Sequence, residues 1–168
     1  MDIIVCGIDP GLAVMGYAVL RTDREPPRIL DAGACRFDVN LSMSRRLVDL
    51  DRDVSDILEE HAPDVVAVEQ LYAHYAHPRT AVLMAHARGV IICAAARKGI
   101  DVRDYGATQV KRFLCGNGRA TKAQVQRSIK AALQLEDPPA SEDMADALAI
   151  ALCCVADVHK CRVSEVQT

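Results

Sequence analysis

No apolar run in this 168-residue chain is as long as a membrane span, and no basic N-terminal stretch leads into an apolar segment and a cleavage site. Neither secretion nor a membrane anchor is expected, so the expected compartment is the cytoplasm. There is no low-complexity tract, no internal repeat and no linker. A single domain with a core of its own is expected over residues 1–158, followed by a flexible C-terminal tail, 159–168. No two of the seven cysteines (Cys6, Cys35, Cys93, Cys115, Cys153, Cys154, Cys161) form a CxxC pair. They sit mostly in apolar segments and read as small buried hydrophobes in a reducing compartment. A zinc site built on Cys154, His159 and Cys161 lacks a further ligand.

Acidic residues are scarce in one region only. Residues 1–69 carry 7 basic and 14 acidic side chains, residues 70–135 carry 11 and 2, and residues 136–168 carry 2 and 7. The net charge of −3 therefore conceals a middle segment of +9 between acidic flanks. Such an asymmetry points to a polyanionic partner for the middle, with the acids solvated or catalytic elsewhere.

The chain opens on Ile3-Ile4-Val5-Cys6-Gly7-Ile8-Asp9-Pro10-Gly11. This is a buried strand that delivers a carboxylate into a glycine-bounded turn. Val14 to Arg21 and Arg28 to Phe37 continue as strands, joined by short links in an antiparallel meander. From Ser42 to His61 the period becomes helical, with Leu47, Leu50, Val54, Ile57 and Leu58 on one face. Asp64 to Glu69 is a fourth strand, again apolar and again ending on an acid. A helix over Thr80–Lys98 and a short strand over Ile100–Arg103 follow. Further helices are expected over Ala107–Leu114, Lys122–Leu133 and Ser141–Val158, the first two separated by the Gly116-Asn117-Gly118 turn. Once helices and strands alternate, the added strands should be parallel. The expected fold is thus α/β: a five-stranded mixed sheet, three antiparallel strands and then parallel ones, flanked by helices.

Asp9 and Glu69 each end a strand. If those strands lie side by side in one direction, both carboxylates leave the same sheet edge. Asp143 and Asp146, spaced i, i+3, share one face of the last helix in its first turns, where the helix dipole favours anions. Four acids brought together raise one another's pKa values unless cations compensate. All-oxygen ligation suits Mg²⁺ or Mn²⁺, and two such ions about 4 Å apart activate water and stabilise a leaving oxygen in phosphodiester hydrolysis. The basic middle would hold the nucleic-acid backbone while the metals let carboxylates accept a phosphate.

Gly7-Ile8-Asp9-Pro10-Gly11, Ala67-Val68-Glu69-Gln70, Ala87-Arg88-Gly89-Val90 and Asp143-Met144-Ala145-Asp146-Ala147-Leu148-Ala149-Ile150-Ala151 resemble, in order and spacing, the motifs of the RuvC Holliday junction resolvases. The resemblance spans about residue 3 to residue 155. It implies a ribonuclease-H-like fold, a homodimer, and Mg²⁺-dependent symmetric nicking of four-way DNA junctions in recombination and repair. The family's catalytic, metal-holding acids fall on Asp9, Glu69, Asp143 and Asp146. Some members carry His at the position of Asp143, and Glu142 is a neighbouring acid that would substitute for it or sit in solvent. Tyr72 matches an aromatic position associated with junction binding, where it would stack on an unpaired base. Lys111 and Lys122 match basic positions flanking the glycine turn, and Arg88 and Arg119 are expected phosphate contacts. His74 and His77 read as DNA-facing or surface residues. Docking of a branch-migration motor stays open.

Helix 80–98 carries small and apolar residues over more than one stripe, more than one sheet covers. This suggests a partner helix in a two-fold dimer. Three other readings compete. One is a ribonuclease-H-like nuclease acting on RNA–DNA hybrids or damaged DNA. Another is a non-catalytic junction scaffold, against which the retention of all four acids counts. The third is an actin- or sugar-kinase-like ATPase, whose first phosphate turn Gly7–Gly11 also resembles. That group needs a second such turn and a longer chain.

Overall fold

The computed structural model describes residues 2–71 and 78–166. Its elements run β1 (Ile4–Asp9), β2 (Val14–Arg21), β3 (Arg28–Arg36), α1 (Met43–His61), β4 (Val65–Glu69), α2 (Pro78–Arg97), β5 (Asp101–Tyr105), α3 (Ala107–Cys115), α4 (Lys122–Ala132) and α5 (Glu142–Val166). The strands form one sheet in the order β3-β2-β1-β4-β5. β1, β2 and β3 pair antiparallel; β4 pairs parallel to β1, and β5 parallel to β4. This is the mixed sheet expected from three short-linked strands followed by helix-separated ones.

Side chains alternate across β1 and β4, and each face has its own core. Val5, Ala18, Leu20, Val65 and Ala67 pack with α3, α4 and α5. Cys6, Ile8, Met15, Val66 and Val68 pack with α1 and α2. Both faces are covered, which is why β1 and β4 read as continuous apolar runs rather than alternating ones.

The helix boundaries follow local chemistry. The Ser42 side chain caps α1, and Ala62 in a left-handed conformation ahead of Pro63 closes it. Gly99, at φ +70°, terminates the turn after α2. Thr121 and Gln124 form a reciprocal capping box at the start of α4. The last helix continues to Val166 instead of stopping near 158, so residues 159–166 of the expected tail are helical. No glycine or proline follows Pro139 to stop it.

Glycines decide how closely α5 approaches the sheet. A Cβ on Gly7 would stand 2.5 Å from the Ala147 carbonyl oxygen and 2.7 Å from the Ala151 nitrogen. One on Gly16 would stand 2.0 Å from the Asp143 carbonyl oxygen. Ala147 and Ala151, both buried, complete this close contact from the helix side.

The α1/α2 layer leaves part of its own surface uncovered. The stretch Arg79–Arg97 of α2 contains no unbroken apolar run as long as a membrane span, because Arg88 interrupts it, yet it reaches a span's length and mean hydropathy, and only 22% of its most apolar window is buried within the chain. Val82 is 53% exposed. Of the cysteines, Cys6, Cys153 and Cys154 are buried, Cys35 and Cys115 half-buried and Cys93 exposed. The reading of all of them as core residues thus holds for only part of the set.

Candidate active site

The parallel register pairs Ile8 with Val68, so the next residues, Asp9 and Glu69, end adjacent strands at one edge of the sheet. Alternation puts both on the face that carries Gly7 and Ala67, toward α5. Glu142 and Asp143 lie in the first turn of α5, and Asp146 follows one turn later. The contact at Gly16 sets the height of that first turn above β2. The four acids that sequence placement singles out thus come from β1, β4 and α5 to one end of the α5 face. All four are half-buried.

Their electrostatics reflect that crowding. Burial holds the Asp9 carboxyl far above the usual carboxylate range, and the charges of Glu69, Asp146 and Asp143 push it further. Asp9 also shares a hydrogen bond with Glu69, which raises Asp9 further and works against the rise at Glu69. Glu69 and Asp146 are likewise raised, by burial first. Lys111 opposes the rise at both, and Lys122 opposes it at Asp146. A cavity of about 120 Å³ joins these groups, with Glu69, Asp146, Lys111 and Lys122 in its wall.

Among the described residues, no three His, Cys, Asp or Glu side chains already stand as a closed metal-binding group. The donor set still fits a hard divalent cation. It is all carboxylate and half-buried, and a cation would relieve the crowding that raises Asp9, Glu69 and Asp146. Lys111 and Lys122 supply part of the positive charge that the cation would add.

Lys122 is exposed and pairs with Glu142. Glu142, one residue before Asp143, pairs with this lysine in solvent, and its charge also raises Asp146. Arg119 is exposed on the turn before α4, where its backbone N–H donates to Asn117 Oδ1 at 2.9 Å. Arg88 does not join the acids. Its guanidinium donates to the Glu69 carbonyl oxygen, Nε–O 3.3 Å, and pairs with Asp104. Tyr72, His74 and His77 lie outside the described residues, as does the side chain of Cys161. One functional neighbour has no signal in the sequence. Arg46 of α1 donates from Nε to the Leu12 carbonyl oxygen at 2.8 Å, bracing the β1–β2 turn just beyond Asp9. Its partner is 34 residues away, and neither residue belongs to a motif.

The sheet order and the acids at the end of its central pair of strands define a ribonuclease-H-like protein with a carboxylate-centred site. Residues 5–154 match the family described as crossover junction endodeoxyribonuclease RuvC, and the chain belongs to that family. It is 46% identical over 151 residues to the crossover junction endodeoxyribonuclease RuvC of Rhodopirellula baltica, covering 89% of this chain and 84% of that protein. The Thermus thermophilus RuvC structure superposes with a TM-score of 0.82 at 31% identity, over 89% of this chain and 92% of that one. The same protein in complex with its Holliday junction substrate gives 0.80 at 30% identity, over 90% and 91%.

Proposed function

We propose that the chain resolves four-way DNA junctions by hydrolysing one phosphodiester in each of two strands of like polarity, in the cytoplasm, during recombination and repair. The observation that carries this reading is the meeting of Asp9, Glu69, Asp143 and Asp146 beside Lys111 and Lys122 in a member of this family.

Asp9, Glu69, Asp143 and Asp146 would hold Mg²⁺, two ions per site, with Mn²⁺ able to replace it. Bound there, the metal supplies Lewis-acid charge to the phosphate and lowers the pKa of water. The chain's own residues do the rest. Asp9, fixed at the end of a buried strand, gives the site a carboxylate that cannot swing away. Glu69 and Asp146 both line the cavity. Lys111 and Lys122 bring positive charge to its wall, where a DNA phosphate enters, and Lys122 exchanges Glu142 for that phosphate. Arg119 meets the backbone further out, and Tyr72 stacks on a base near the crossover.

The apolar face that α2 leaves uncovered is the surface on which two copies pair. A two-fold dimer presents two identical sites to one junction, which accounts for paired cuts. Replacing exposed Val82 by Glu should shift the sedimentation coefficient to that of a monomer; an unchanged dimer would place the interface elsewhere.

The deciding experiment compares a mobile four-way junction, a linear duplex and an RNA–DNA hybrid as substrates with and without Mg²⁺, and maps the nicks on denaturing gels. Symmetric, metal-dependent nicks in the junction are expected. Preferential cutting of the hybrid would contradict the reading.

A further inference from the structure

We propose that Arg88 is a positioning residue of the active site: from the opposite face of the sheet it ties the Glu69 main chain to Asp104 and so sets where the Glu69 carboxylate stands. The proposal rests on the carboxylate site described above. It concerns how that site is held rather than what it cuts.

β4 ends at Glu69, and no residue of that strand lies beyond it to hold it in place. On one side β1 reaches only to Asp9. On the other, Tyr105 of β5 pairs with Glu69, and its carbonyl accepts from the Gln70 N–H at 2.9 Å. Asp104 pairs in register with Val68, whose side chain faces α1 and α2. Arg88 projects from α2 onto that same face. One arm of its guanidinium takes the Glu69 carbonyl, and the other takes the Asp104 carboxylate. The Arg88 side chain is only 21% exposed, so the planar fork is held in one direction. The α5 face, with the acids and the lysine-lined cavity, lies across the sheet.

This geometry does not suit a DNA contact. A phosphate would have to compete with Asp104 for the fork, on the face away from the site. It does suit a brace. A half-exposed ion pair adds little to stability by itself, but it aims the second arm at the carbonyl of the residue whose side chain must be aimed. The β1–β2 turn beyond Asp9 is held in the same manner, by Arg46 on the Leu12 carbonyl. Two arginines from the α1/α2 layer thus grip the main chain next to the two strand-borne acids. Partners outside the ligand shell commonly tune metal affinity tenfold to a hundredfold by orienting the ligands.

The test uses the full chain with Arg88→Met, Arg88→Lys and Asp104→Asn. Mn²⁺ binding to the protein alone is followed by loss of the free-ion EPR signal, junction affinity is measured without divalent metal over a range of salt, and single-turnover cleavage is measured against Mg²⁺. Arg88→Met should weaken Mn²⁺ binding at least about tenfold and raise the Mg²⁺ needed for half-maximal cleavage in parallel. Junction affinity and its salt dependence should stay within twofold of the unaltered protein. Arg88→Lys, which keeps a donor near the carbonyl, should recover part of the loss, and Asp104→Asn should show a smaller loss of the same kind. If Arg88→Met instead weakens junction binding, lowers the log–log salt slope by about 0.9 and leaves Mn²⁺ affinity intact, Arg88 is a phosphate contact and the proposal fails. It fails equally if all three measurements are unchanged. Should Arg88→Met not fold, Asp104→Asn decides, because a half-exposed carboxylate is replaced there by its isostere; normal Mn²⁺ affinity in that variant contradicts the brace. Cleavage that survives Asp9→Asn would overturn the site itself, whereas an inactive Asp9→Asn beside an unaffected Arg88→Met would overturn only the brace.

Discussion

The two faces of the sheet hold their helices differently. On the α5 face, glycine and alanine let a helix lie directly on the strands: Gly7 under Ala147 and Ala151, Gly16 under Asp143. On the α1/α2 face, large side chains such as Ile8, Met15, Leu50, Leu58 and Ile91 fill a thicker layer, and arginines reach through it to the main chain. The close face carries the acids. The thick face holds the strands that present them, and leaves part of α2 uncovered. Close packing has few ways to adjust, so it suits four carboxylates that must converge from three elements. The surface proposed for pairing lies on the other face.

Substitutions on the acid side should have the largest effects. Glu69→Gln and Asp146→Asn should each lower junction cleavage by more than about 100-fold, measured under single-turnover conditions, while metal-free junction binding stays near normal. Full activity in either would remove that residue from the site.

Next is the close contact itself. Gly16→Ala places a methyl against a backbone oxygen that cannot rotate away. A cost of about 1–3 kcal/mol is expected, seen as a fall in Tm of several degrees, together with reduced cleavage because Asp143 is displaced. An equally small residue change on the other face, Val66→Ala, should also cost stability but spare the metal dependence of cleavage. If Gly16→Ala lowers Tm and leaves cleavage untouched, the height of α5 does not set the site.

A third effect depends on pH. Asp9 binds its proton more tightly in the folded protein than in the unfolded chain. The metal-free protein therefore loses stability as pH rises from the ordinary aspartate range through the raised, folded-state value. Asp9→Asn removes that loss. It should raise the Tm of metal-free protein by a few degrees at pH 8, have little effect near pH 3, and lose its advantage when Mg²⁺ is added. Thermal melts across pH with and without Mg²⁺ check this, and a variant less stable than the parent at pH 8 would contradict it.

The smallest effect is expected at Glu142. Its pair with Lys122 is exposed on both sides and worth at most about 1 kcal/mol. Glu142→Gln should leave Tm and Mn²⁺ affinity unchanged and tighten junction binding a few-fold at low salt by freeing Lys122. A clear loss of Mn²⁺ affinity would instead make Glu142 a ligand.

Much of this arrangement is legible in the sequence, because strand ends and helix first turns are local features. Asp9 and Glu69 stand out as acids closing apolar β-branched runs, and Asp143 and Asp146 stand out by their i, i+3 spacing. Lys111 and Lys122 are visible as charge in a region poor in acids, although their place in the wall of the acid cavity is not. What stays hidden is long-range. Arg88 looks like one more cation of the basic middle until Asp104 and the Glu69 carbonyl are seen beside it. Arg46 and Leu12 have no pattern linking them. Gly16 looks like an ordinary glycine in a strand, and only the Asp143 carbonyl above it explains why no side chain fits. The end of α5 is hidden for a different reason: without a glycine or proline to stop the helix, nothing local marks where it ends.

On the proposed reading, Asp9 serves a site that cuts rather than one that only binds. Asp9→Asn, assayed with one mobile junction for metal-dependent cleavage and for binding without metal, tests it most directly. Abolished cleavage at both nick positions with junction affinity retained is the predicted result; undiminished cleavage, or loss of binding in step with cleavage, would contradict it.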